Sequence, residues 1–490
     1  MRSLAFGACA ALAVTAAFAA PPDGPLWYTI SVADGSVIGH AEHDEAPRPD
    51  GGRDIIDSQT VDVGAEGSPS PIEPWLTIPS ERIQTRRTVL TEDAEGRAVA
   101  LSTQSAIGSD SARLDARIDT DSATVTRTTA VDARSVTVAL PPGVRFDDGE
   151  GLLPGWDPAA TPRLEFDAFD IDAMAVEHVV IELAPSPDPA GRLAVLRKSF
   201  RNGHLTAFAR LFLDSVHRIV ETDQPMFRSS IAIRLSDRAT ALKPHPFYHP
   251  LPDVMAKSPF RIPSSALQSH IRYSFSFPDG VAFDVPQTGE QRVSAAQGAA
   301  TVDICGDCGP GLPSDKATLA DALKPTVWMQ SDSPALHAIA DPIAAQPISD
   351  TRKMELLLRK AWPLLGRLDF TGHYSALETL SRHAGDCTEA AVLLAALGRA
   401  AGIPTRVANG LVYSRESYHG VSNAFLPHSW TLAWADGQWR SFDLALGNFD
   451  TTHIALAVGD GDEASLATAS QRAGLLHWDG MAEVRAPPAN

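Results

Sequence analysis

The chain has 490 residues, with 41 Lys and Arg against 60 Asp and Glu and a formal charge of −19. That length exceeds one ordinary core and implies two or three domains. The acidic balance argues against nucleic acid and anionic membrane as partners of the surface as a whole. Residues 1–19 read as a cleavable signal peptide. Arg2 supplies the positive start, "LAFGACAALAVTAAF" the apolar stretch, and "AFA" at Ala17–Ala19 the small-residue cleavage site. Cys9 sits inside the apolar stretch, too early for a lipid-anchoring cysteine. No later run is long and apolar enough to span a membrane, so a periplasmic or secreted protein is expected.

Residues 20–300 read as an antiparallel β-rich region of one or two subdomains. Short alternating or β-branched runs recur, among them "LWYTISV", "QTRRTVLT", "SATVTRTTAV", "EHVVIEL" and "IRYSFSF". Turn residues such as "ADG", "EDAEG" and "PDG" divide them. The prolines of 244–263 mark a loop or boundary. "DAFDID" at 167–172 and "DGDE" at 460–463 are acidic but lack the order of a calcium loop.

Near 310 the texture becomes helical. "SPALHAIADPIA" and "DTRKMELLLRKAWPLLG" have helical spacing, and a third helix is expected from Tyr374 to about Ala384. "RHAGDCTEAAVLLAALGRAAGIPTR" then gives a helix with its cap, its stop and its cysteine. Asp386 can cap the start, and Glu389 fits the acid position of a capping box. Gly402 and Pro404 end the helix. Cys387 therefore lies in the first turn, where free N–H groups and the helix dipole favour a thiolate. A buried structural cysteine is the competing reading.

Three strand candidates follow: "RVANGLVY", "SWTLAWA" and "QWRSFDLAL". Asp436-Gly437 is a strong two-residue hairpin signal. With that turn, His428 and Trp430 share one face, and Asp443 lies diagonally across from His428. The pattern points to a Cys387–His428–Asp443 relay. His428 would deprotonate the thiol and Asp443 would orient the imidazole.

Besides Cys9 and Cys387, the chain has Cys305 and Cys308 in "CGDC". A local disulfide, half a zinc site and a redox motif all fit that spacing, and an exported chain favours the first. No metal site and no cofactor are expected; neither HExxH nor a phosphate-binding glycine loop occurs.

With these motifs in order, residues 315–460 resemble the transglutaminase-like superfamily, whose fold is that of papain-like cysteine enzymes. The resemblance rests on Gly385-Asp386-Cys387, Gly402-Ile403-Pro404-Thr405-Arg406, His428 with Trp430, and Trp439 with Asp443. "TTHIALA" at 451–457 fits an exported bacterial subgroup with a β-rich N-terminal region. An α+β class is thus expected: the β-rich region, the transglutaminase-like domain at 315–460, and a tail at 461–490.

The resemblance implies thiol acyl transfer on a peptide, protein or small-amide substrate. It also implies that His373 and Tyr374 lie near an oxyanion hole, with Trp430 lining the site. His383 could touch the site, and His453 is expected to be structural. Two positions depart from the subgroup. Ala390 replaces a histidine after Glu389, and Leu432 replaces an acidic residue two positions past Trp430. The rival reading is a non-catalytic envelope binding or assembly protein on the same scaffold. Oligomeric state has no signal in the sequence.

Overall fold

The computed structural model describes residues 24–484 apart from 65–80, 109, 148, 249–253, 259–260, 279–280, 282–284, 297, 367–371 and 416–420. The expected signal peptide at 1–19 lies outside the described residues. The chain forms two compact units that divide at Pro250/Leu251.

The first unit is built on a 14-stranded antiparallel sheet. Strand β1 (Leu26–Val32) lies in its middle and pairs with both β2 (Val37–Pro47) and β14 (Ser229–Ser236). From β2 the strands meander outward to an edge at β8 (Ala133–Ala139). The other half starts at the opposite edge, β9 (Arg163–Asp170), and meanders back to β14. Alternation explains the burial: Tyr28, Ile30 and Val32 of β1 all point inward and are buried. Two apolar clusters form, one around Val179, Val195 and Leu211, the other around Leu90, Leu101 and Val125. A cavity of about 320 Å³ in this unit is lined by charged and aromatic groups, among them Arg86, Asp170, Asp172 and Phe169. Arg86 pairs with Asp172 at 2.6 Å there. A one-turn helix, α1 (Arg238–Ala241), follows β14 and is capped by Asp237.

The second unit begins with β15 (Ala256–Lys257), β16 (His270–Ser276), β17 (Gln291–Ala296) and β18 (Ala299–Cys305). Helices α2 (Lys316–Asp321), α3 (Pro334–Ala344), α4 (Asp350–Ala361), α5 (Ala376–Arg382) and α6 (Cys387–Ala400) come next. Then follow β19 (Thr405–Ser414), β20 (Ala424–Ala435), β21 (Gln438–Phe442), β22 (Ile454–Gly459), α7 (Glu463–Leu475) and β23 (His477–Glu483). One sheet runs β15-β20-β19-β22, with β21 also on β20; a second runs β17-β18-β16-β23. Strands β16 to β18, although within the stretch read as N-terminal, belong to this unit. So do α7 and β23, which occupy the residues read as a tail; β23 pairs with β16.

Helix α6 is the centre. Every side chain from Cys387 to Arg399 is buried, packed against β19, β20, α3, α4 and α5. A helix enclosed on all sides reads as continuous apolar sequence, and "AAVLLAAL" supplies it. At its far end the buried Arg399 guanidinium donates to the carbonyls of Lys324 (2.6 Å) and Thr405 (2.8 Å) and pairs with Asp460. That satisfies a charge which would otherwise be costly to bury.

Gly410 in β19 has a specific packing reason. A Cβ there would stand 1.9 Å from the Ile454 carbonyl oxygen of β22, next to a register shift at Asn409/Gly410. Gly410→Ala is expected to destabilise the second unit by about 1–3 kcal/mol. Differential scanning calorimetry should show its transition lowered by roughly 2–10 °C.

Candidate active site

The start of α6 is a capping box. The Asp386 carboxylate accepts from the Thr388 N–H (2.7 Å), and Glu389 Oε2 accepts from the Asp386 N–H (2.9 Å). Gly385 makes room for this, because a Cβ there would meet the Glu389 side chain at 2.5 Å. The other Glu389 oxygen accepts from the Tyr374 N–H (3.1 Å), which ties the segment before α5 to the helix start. Ser375 and Glu378 form a second capping box on α5.

Cys387 is a free cysteine in the first turn and is 7% exposed. It belongs to an apolar cluster with Met255, Val412, Ala424 and Leu426. Met255 arrives on the segment of β15, which adds to the edge of β20 through Ala256↔Phe425 and Lys257↔Ala424. On that same edge β21 pairs only with Thr431–Ala435, so the stretch between is left to the site. There the Ser429 N–H donates to the Cys387 sulfur. Pro427 has the same parity as Ser429, so its missing N–H falls on this unladdered edge, where the strand tolerates it.

The helix start was expected to favour a thiolate. Instead burial, with the neighbouring Asp386 carboxylate next, holds the Cys387 thiol well above its ordinary range, against the Ser429 N–H. The resting sulfur is a neutral thiol.

The hairpin turns at Asp436-Gly437, with φ of 54° and 82°. Ala435 faces Gln438 and Trp434 faces Trp439. Both positive φ values match the turn type that two-residue hairpins favour. The Asp436 carboxylate also accepts from the Asp350 N–H (3.0 Å) and the Thr351 N–H (3.3 Å) at the start of α4.

This register brings two of the expected residues together: His428 Nε2 donates to Asp443 Oδ2 at 2.7 Å, with both side chains buried. The other Asp443 oxygen accepts from the Leu446 N–H (2.9 Å). A third residue joins them, since His453 Nε2 lies 3.0 Å from the same Asp443 oxygen. Burial alone would raise the Asp443 pKa, but the two imidazoles outweigh it and hold it well below the usual carboxylate range. Burial opposes a charge on His453 as well, yet hydrogen bonds to Asp443 and Asp450 raise its pKa to about 9. Donor atoms of His428, Asp443 and His453 lie within 4.8 Å of one another. Two hydrogen bonds to one carboxylate oxygen account for that closeness, without a metal ion.

The remaining expected residues take other places. Trp430 is buried beside both imidazoles, stacked on His428 at 6.1 Å and edge-on to His453 at 5.1 Å. It braces the two rings from behind. His373 Nε2 donates to the Gly461 carbonyl (2.7 Å), and its ring lies 4.5 Å from that of Trp328. Tyr374 lies under the Arg382 guanidinium at 4.0 Å. His383 is exposed at the end of α5 with φ of 50°. Cys305 and Cys308 are joined to each other. Sequence reasoning missed Met255, the Ser429 N–H and the contact of His453 with Asp443. Of these, only the spacing Asp443…Asp450…His453 offered a local signal.

Residues 338–444 match the family model of the transglutaminase-like superfamily. No curated protein matches the chain. Among solved structures, one similar chain is a β-barrel-like protein of unknown function from Brucella abortus, at 14% identity and a TM-score of 0.32. That match covers 44% of this chain and 95% of the other. Another is the periplasmic domain of TgpA from Pseudomonas aeruginosa, at 17% identity and a TM-score of 0.27, covering 46% of this chain and 81% of that one. No helix of the described residues is long and apolar enough to cross a membrane. The family match and the α+β architecture agree, and residues 338–444 form a transglutaminase-like domain.

Proposed function

We propose that this chain is an exported thiol acyl-transfer enzyme with Cys387 as nucleophile, His428 as base and Asp443 as the group that orients it. The reading is carried by one observation: His428, held by Asp443 from the end of β21, stands on β20 one residue before Ser429, whose backbone N–H bonds the Cys387 sulfur. Because Asp443 holds Nε2, Nδ1 is the ring nitrogen assigned to the thiol. His428 takes the thiol proton, and the thiolate attacks a carboxamide or peptide carbonyl. The oxyanion is met by the Cys387 backbone N–H, which as a first-turn donor has no partner within the helix. Collapse expels the amine, which takes the proton from His428 and leaves a thioester. Water then gives hydrolysis, and a second amine gives transamidation; hydrolysis is favoured because water is always present. Export follows from the signal-like residues 1–19.

The second reading, a non-catalytic envelope binding protein, draws on the 320 Å³ cavity of the first unit. Cys387→Ala separates the two, since a binding role survives that change and an acyl-transfer role does not.

Labelling with an iodoacetamide probe tests the triad. Wild-type protein should label at Cys387. His428→Ala should slow labelling by about 100-fold or more, and Asp443→Asn by about 10-fold or more. Rates unchanged in folded His428→Ala would rule the triad out. Because Met255 packs in the cluster that covers Cys387, Met255→Ala should speed labelling of Cys387, as read by mass spectrometry of the modified peptide.

A further inference from the structure

His453 is buried and held from both sides. Its Nε2 lies 3.0 Å from Asp443 Oδ2, and its Nδ1 lies 3.2 Å from Asp450 Oδ1, 3.1 Å from the Asp450 carbonyl and 3.3 Å from the Asp450 nitrogen. Asp450 is itself anchored, accepting from the Thr452 N–H (2.9 Å) and hydroxyl (2.6 Å). The Phe449 ring covers one side of the imidazole at 4.8 Å, and the Trp430 edge meets another at 5.1 Å. The titratable groups facing His453 are therefore Asp443 after β21, Asp450 on its own loop, and His428 on β20, with ring centroids 5.5 Å apart. Tyr273 on β16 comes next, donating to the Thr451 carbonyl at 3.0 Å.

We propose that His453, clamped between Asp443 and Asp450, is a positioning residue for the acyl-transfer relay: it fixes the Asp443 oxygen that orients His428 and tempers the charge which that oxygen presents. The inference rests on the proposed triad and adds a fourth and a fifth member, His453 and Asp450. Its physics is competition for one oxygen. A carboxylate that gave its whole charge to His428 would lock that ring as imidazolium, and a locked imidazolium is a poor base. A second cation on the same oxygen offsets part of that charge. The buried carboxylate then stays ionised and aligned on the His428 ring. His453 retains its proton through neutral pH, since its pKa is raised to about 9.

The test is the pH profile of Cys387 alkylation in the full chain, wild type against His453→Gln. Glutamine keeps a donor for Asp443 but carries no charge. Removing a positive charge beside the relay favours the protonated thiol of Cys387. The whole profile should therefore move to higher pH, by about one unit. A folded His453→Gln protein with a profile superimposable on wild type overturns the proposal. A merely structural histidine would lower yield or melting temperature without moving the profile. If His453→Gln does not fold, ¹⁵N NMR of the wild-type histidines decides. A His453 ring protonated on both nitrogens from pH 6 to 8 supports the clamp, and a neutral ring at pH 7 overturns it. Failure of the triad itself reads differently, as alkylation of wild-type Cys387 that ignores His428→Ala.

Discussion

The second unit depends on a helix that has no wet side. Because α6 is buried from Cys387 to Arg399, the unpaired N–H groups of its first turn have no water to bond and must find protein partners. Asp386 takes the Thr388 N–H and Glu389 takes the Asp386 N–H, and each does a second job. Asp386 sets a negative charge beside the thiol, and Glu389 reaches across to the Tyr374 N–H. The glycine of "GDCTE" is there because the Glu389 side chain fills the space a Cβ would need. Thus the short motif around Cys387 is first a solution to the problem of burying a helix end.

The same enclosure governs the charges. A carboxylate as buried as Asp443 persists only with partners, and it has two imidazoles and a backbone N–H. A thiol as buried as Cys387 stays neutral until a base acts on it. The dipole of the helix, often credited with activating such cysteines, is outweighed here by burial and by the capping acid. Under the proposed relay, a thiolate is made by proton transfer rather than held ready at rest.

Much of this site was legible because it is local. A cap, a stop and an Asp-Gly turn are short-range signals, and period-two counting from the turn puts His428 and Asp443 within reach of each other; in the structure they lie 2.7 Å apart. What could not be read involves contacts with no local trace. Met255 comes from a proline-rich stretch far from Cys387 in sequence, and nothing in that stretch says it adds a strand to β20. His453 looked structural because the sequence does not say which face of its loop meets Asp443. Likewise β23 carries "HWDGMAE", too polar and glycine-broken to announce a strand; β16 recruits it. The large sheet of the first unit was legible as β structure but not in its order, since pairing β1 with β14 joins segments about two hundred residues apart.

One small feature limits how this domain can vary. Asp436 sits on the surface at the tip of the β20–β21 hairpin, where loops usually tolerate added residues. Its backbone makes the turn and its side chain caps the start of α4. A residue inserted there must either pull the carboxylate off that helix or slide β21 by one position. A one-position slide reverses the face of every residue that follows in the strand. Asp443 would then turn away from His428 and His453. This exposed hairpin tip is therefore a length gauge for the site: it can change in composition, within what a positive φ and a carboxylate require, but not in residue count.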